Sequence, residues 1–244
     1  MAGRRAALAL TMCLAAALPA AACVSGTGFE VTGLSADGPL VLAAADGRRF
    51  RLVALAGEAL VAPDGPLRLV ALGATDRHGR VPAQAFGPGG PVEIPLLREG
   101  RARLTATRLV PRDCWTLFER AETEAIRARR GLWAGAGAPI SATDADALAR
   151  ADGRFAIVEG RIRSVRSQGR TTYVNFGAPQ SGALTVTISD RDMATFREVG
   201  LEPAAIRGHM LRVRGIVTIR RGPFIAAAIP EALTIAEPPS GGAR

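Results

Sequence analysis

Arginine carries the charge chemistry available to this chain. All 31 of its basic residues are arginine and none is lysine, and a guanidinium meets a phosphate with a planar pair of donors. In the C-terminal half, Arg161 and Arg163 alternate with Val158, Gly160 and Ile162, while Arg212 and Arg214 alternate with Leu211, Val213 and Gly215. Each strand therefore turns an apolar face one way and a basic face the other. Arg220 and Arg221 follow in a hairpin, and Thr171, Tyr173 and Asn175 form the polar face of a neighbouring strand. Such a surface could track a phosphate backbone with Tyr173 as a stacking platform. A plain solvated basic face is the alternative reading, because aromatic residues are 5% of the chain and effective single-strand binders interleave more of them. His78 and His209 stand alone, far apart and without a Cys/His partner, which argues against zinc.

The formal net charge of +9 attracts polyanions, although a coding bias toward Ala, Gly, Pro and Arg accounts for it equally well. At 244 residues with 48% hydrophobic content, one or two domains with a real core are expected. Residues 1–22 read as an export signal: Arg4 and Arg5, an apolar run from Ala6 to Leu18, then Pro19-Ala20-Ala21-Ala22-Cys23. Cleavage at Ala-x-Ala would release a soluble periplasmic protein. The small residues before Cys23 also resemble a lipobox, with Ala20 where Leu is usual, and this reading is preferred because cysteine is otherwise scarce: Cys23 is expected to carry a lipid anchor to a membrane. Acylation would leave Cys114 as the only mature thiol, a packing residue, and no intramolecular disulfide.

The mature chain divides at the sequence level into a β-rich piece over 27–134, a linker over 135–153, a second β-rich piece over 154–237 and a loose tail over 238–244. In the first, Asp46-Gly47 predicts a hairpin between Val41–Ala44 and Arg48–Leu52. Leu96–Gly100 predicts an apolar turn, Ala102–Leu109 a strand, and the following segment a long helix with Asp113 as N-cap and Gly131 as a left-handed stop. Cys114, Leu117, Phe118, Ala121, Ala125 and Ala128 form a stripe that packs, with the Glu/Arg face left wet. In the second piece, five strands with a helix near Arg191–Val199 suggest a small Greek-key barrel of OB type.

The segment Leu96–Trp133, LLREGRARLTATRLVPRDCWTLFERAETEAIRARRGLW, resembles the C-terminal half of the staphylococcal-nuclease (thermonuclease-like) domain. The resemblance implies that the first piece is also an OB-type barrel, followed by its C-terminal helix. The fold class expected is thus mainly β with few helices, as two OB-type Greek-key barrels. In that family, acidic side chains hold calcium, a glutamate positions water and two arginines stabilise the pentavalent phosphorus. The Asp-Gly-Asp-Thr block reads Asp37-Gly38-Pro39-Leu40 here, and proline supplies no ligand. The Arg-Leu and Asp-x-Pro-Glu blocks read Arg51-Leu52 and Ala56-Gly57-Glu58, with Glu58 one residue short of its position. Asp-x-Tyr-Gly-Arg reads Asp76-Arg77-His78-Gly79-Arg80. The arginine pair, Arg51 and Arg80, matches while the metal cage does not, and only about twenty residues separate Glu58 from Arg80, too few for the family's intervening helix. A surviving calcium site would have to use Asp37 and Glu58.

Three function classes follow. The leading one is an exported, non-catalytic nuclease-like protein of the cell envelope that binds nucleic acid, another polyanion or an envelope protein, using no cofactor. The second is a calcium-dependent phosphodiesterase with a rearranged site, Arg51, Glu58 and Arg80 acting at the phosphate. The third is a structural envelope lipoprotein.

Overall fold

The computed structural model describes residues 23, 27–57, 65–135, 137–178, 180–202 and 205–236. Glu58, residues 1–22 expected as an export signal and the tail expected over 238–244 lie outside them. The fold is mainly β with four α-helices among the described residues, and no helix there is long and apolar enough to cross a membrane.

The first half contains β1 (Phe29–Val31), β2 (Ser35–Ala36), β3 (Val41–Ala43), β4 (Arg49–Leu52), β5 (Leu55–Gly57), β6 (Leu67–Ala71), β7 (Arg80–Gly87) and β8 (Gly90–Pro91). The helix α1 (Glu93–Arg98), β9 (Ala102–Leu104) and the helix α2 (Arg112–Arg127) follow. One sheet runs β1-β6-β7-β4-β3-β2, with β8 on β7, and β5 pairs separately with β9. The hairpin predicted at Asp46-Gly47 is present: Ala44 and Arg48 pair across it, Gly47 takes a positive φ, and the Asp46 carboxylate accepts from the Arg48 backbone and side chain. Phe50 and Leu52 point inward and are buried, whereas Arg49 and Arg51 alternate outward.

Several boundaries differ from the sequence expectation. Leu96–Gly100 belongs to a helix and its cap rather than to a turn, and the strand after it stops at Leu104. The long helix begins two residues earlier than Asp113 predicts, with Pro111 at the N-cap and no side-chain cap; Asp113 instead lies in the first turn, where its charge suits the helix dipole. Arg129, not Gly131, first leaves the right-handed region at the other end. Gly131 is required for a different reason: a Cβ there would lie 2.4 Å from the Gly100 carbonyl, which accepts from the Leu132 N–H at 2.7 Å. On α2 the buried stripe includes Trp115 and Glu122 beside Cys114, Phe118, Ala121 and Ala125, while Ala128 is exposed.

A disulfide joins Cys23 to Cys114 across 91 positions. Both residues are fully buried, and Cys23 packs in the first core cluster. This is the pairing that acylation of Cys23 would preclude.

The second half contains β10 (Ile140–Ser141), the helix α3 (Ala145–Arg150), β11 (Phe155–Arg161), β12 (Ser164–Gln168), β13 (Thr171–Asn175) and β14 (Thr185–Ser189). It continues with the helix α4 (Asp190–Glu198), β15 (Met210–Ile216), β16 (Thr218–Ile219), β17 (Pro223–Ala226) and β18 (Leu233–Ala236). One sheet runs β10-β11-β15-β18 and the other β12-β13-β14-β17-β16. The segment 135–153 is more than a linker, since β10 pairs in parallel with β11. Ser189 caps α4 by accepting from the Asp192 N–H. The buried apolar residues form two large clusters, one per half, and a small third cluster of Ala125, Trp133 and Ile157 lies between them.

Candidate functional site

The sheet β12-β13-β14-β17-β16 buries one face and opens the other. Val174, Val186 and Ile225 point into the core, so the residues between them face outward. Register sets the outward residues in rows: Ser164, Asn175, Thr185 and Phe224 lie across the sheet in one, and Arg166, Tyr173, Thr187 and Ala226 in the next. Asn175 fixes the first row by donating to Ser164 Oγ at 3.3 Å and accepting from Thr185 Oγ1 at 3.1 Å.

These rows floor a cleft of about 1210 Å³, walled by residues 177–178 and 180–184 and by the hairpin carrying Arg220 and Arg221. Among the described residues, five arginines line it, Arg163, Arg166, Arg207, Arg220 and Arg221, and no aspartate or glutamate does. All five side chains are exposed, and among the described residues none has a carboxylate partner. The Arg220 guanidinium lies 5.9 Å from the centroid of the Phe224 ring, a cation–π distance. The cleft thus combines uncompensated, two-pronged donors with two aromatic rings, Tyr173 and Phe224, over hydroxyl and amide groups. That chemistry suits an anionic ligand with flat apolar parts.

Of the sequence candidates, Arg163, Tyr173, Asn175, Arg220 and Arg221 fall in this cleft. Arg161 lies beside it, exposed, donating to the Gly208 carbonyl at 2.7 Å. Arg212 and Arg214 do not belong to a polyanion face. They do point away from the second core, as alternation predicts, but α2 covers them, and they are 4% and 1% exposed. Arg214 pairs with Glu122, which is fully buried, and donates to Thr234 Oγ1 at 2.6 Å. Arg212 pairs with Glu159 at 2.5 Å and donates to Thr123 Oγ1 at 3.0 Å. The other oxygen of Glu122 accepts the Leu104 N–H at 2.7 Å. Glu122 is therefore not on a wet face; it is the hinge pin of a buried ion network between α2 and β15. Arg166 and Arg207 are the cleft arginines that the sequence reading did not single out; for Arg166, alternation along its strand with Val165 held the signal.

In the first half, Arg51 and Arg80 do come together, on Asp76. The Asp76 carboxylate accepts from Arg80 Nε and from the Arg80 and His78 backbone N–H groups at 2.8–3.0 Å, with Arg51 Nε 4.0 Å away. The Arg80 side chain, followed by those backbone donors, holds the Asp76 carboxyl well below the usual carboxylate range. Asp37 is paired with Arg49. Asp37 thus has a cationic partner, Glu58 lies outside the described residues, and no three His, Cys, Asp or Glu among the described residues are placed to share a metal.

No protein-family model matches this chain, and no curated protein does.

Proposed function

We propose that this chain is an exported, non-catalytic protein of a bacterial envelope that binds a polyanion, nucleic acid foremost, in the cleft of its second half, and that the first half is a nuclease-like barrel supporting it. The observation that carries the reading is the lining of that cleft, with five arginines that have no carboxylate partner, two aromatic rings and no carboxylate among the described residues. An OB-type barrel for the second half is supported by three features of its connectivity. The strands β14 and β17 pair in parallel, α4 lies between β14 and β15, and β15 returns antiparallel to β11. Oligonucleotide binding on such a sheet uses stacking for grip and guanidinium groups for the backbone.

Anisotropy of a labelled single-stranded oligonucleotide over a salt series tests this. Binding should weaken linearly in log–log form, by about 0.7 per phosphate contacted. Arg163→Ala with Arg166→Ala should flatten the slope by about 1.4 if each neutralises one phosphate, while Arg51→Ala with Arg80→Ala leaves it unchanged. Absence of binding at low salt in folded protein would sink the proposal and leave a protein-partner or structural role. Calcium-dependent cutting that disappears in Arg80→Ala would instead establish the phosphodiesterase reading.

A further inference from the structure

We infer that Cys23 is a structural disulfide residue rather than a lipid attachment site, so that export ends with cleavage after Ala22 and a soluble chain stapled by its own first residue. Lipid attachment forms a thioether at the cysteine sulfur. In the structure that sulfur is bonded to Cys114 on α2. A single sulfur cannot hold both. The surroundings also favour the disulfide: Cys23 and Cys114 are fully buried, Cys23 is packed in the first core cluster, and the buried Gln84 amide lies 3.9 Å from its sulfur. A diacylglyceryl group on that atom would have to be accommodated inside the core, or Cys23 would have to leave it.

The sequence before Cys23 agrees. Ala20 and Ala22 satisfy an Ala-x-Ala cleavage site, and Ala20 occupies the position where a lipobox usually has leucine. Pairing two thiols removes two electrons and two protons. A thiol–disulfide oxidoreductase of the exported compartment would accept them by exchange, its own disulfide being reduced to a dithiol.

The full-length chain with its leader, expressed in a bacterial host, provides the test. Intact mass spectrometry, thiol alkylation under denaturing conditions without reductant, and detergent phase partition are compared for wild type and Ala20→Leu. Wild type is expected in the aqueous phase, starting at Cys23, unacylated, lighter by two hydrogens than the reduced chain and without an alkylatable thiol. Ala20→Leu, which restores the lipobox, is expected to move toward the detergent phase and to expose the Cys114 thiol. A diacylglyceryl mass on wild-type Cys23, alkylation of Cys23 and Cys114 without reduction, or a chain beginning elsewhere would each overturn the inference.

Discussion

Glu93 occupies the first turn of α1, fully buried, with neither carboxyl oxygen hydrogen-bonded. Burial pushes its pKa up from 4.5 to about 8, so at neutral pH the folded chain holds a proton that the unfolded chain has released. The sign follows directly. Below the unfolded value both states are protonated and the contribution to stability is fully present. As pH rises toward 8 it is lost, at about 1.4 kcal/mol per pH unit, and beyond that the fold contains a buried unpaired anion. Glu93→Gln keeps the shape and cannot ionise. Thermal melts should therefore leave the variant close to wild type at about pH 4 and increasingly more stable than wild type toward about pH 9; parallel curves for the two proteins would show that Glu93 is not buried as described. Asp76 behaves oppositely, since its lowered pKa keeps the bonds to Arg80 intact until strongly acid pH.

The helix α2 has two jobs at the scale of an element. Cys114, Phe118 and Ala121 pack into the first core, while Glu122 reaches Arg214 and Arg212 on β15. Removing one partner of a buried pair leaves the other charged and unpaired, which costs about 3–5 kcal/mol. Arg214→Ala should lose about that much in a denaturant titration, and Arg214→Leu combined with Glu122→Leu should recover most of it, because replacing both charges by apolar groups is often neutral. Equal losses in the single and double variants would mean that the pair is incidental. The helix itself was legible in sequence from its stripe and charge order, the Asp46-Gly47 hairpin from its turn residues, and α4 from its flanking strands. Arg212 and Arg214 were legible only as a face: alternation says which way a side chain points, not what covers it, and the cover comes from a helix about ninety positions away. Glu122 was misplaced for the same reason, since a helical stripe reveals one packed side and α2 has two. The short strand β18 follows Pro230 within four residues and takes its place from pairing with β15, a long-range effect with no local signature.

Across the whole molecule, the two large cores are joined by that ion network, by the cluster of Ala125, Trp133 and Ile157, and by the bond from Arg108 to the Ala228 carbonyl at 2.8 Å. These contacts should make the halves unfold together, because opening the interface exposes charged groups whose partners lie on the other side. The chain contains its own reporters. Trp115 and Trp133 are buried around α2, and the single tyrosine, Tyr173, lies on the cleft floor. In wild type, tryptophan fluorescence and tyrosine absorbance should report one coincident denaturant transition. A ligand that binds the cleft stabilises whatever unfolds with it, by RT ln(1 + [L]/Kd), so a saturating oligonucleotide should raise the tryptophan midpoint as much as the tyrosine midpoint, although no tryptophan lines the cleft. With Arg214→Ala the coupling is cut: the two transitions should separate, and the oligonucleotide should move the tyrosine signal alone. Two separate transitions in wild type would show that the halves are only neighbours, and that the buried arginines fix their orientation without sharing their stability.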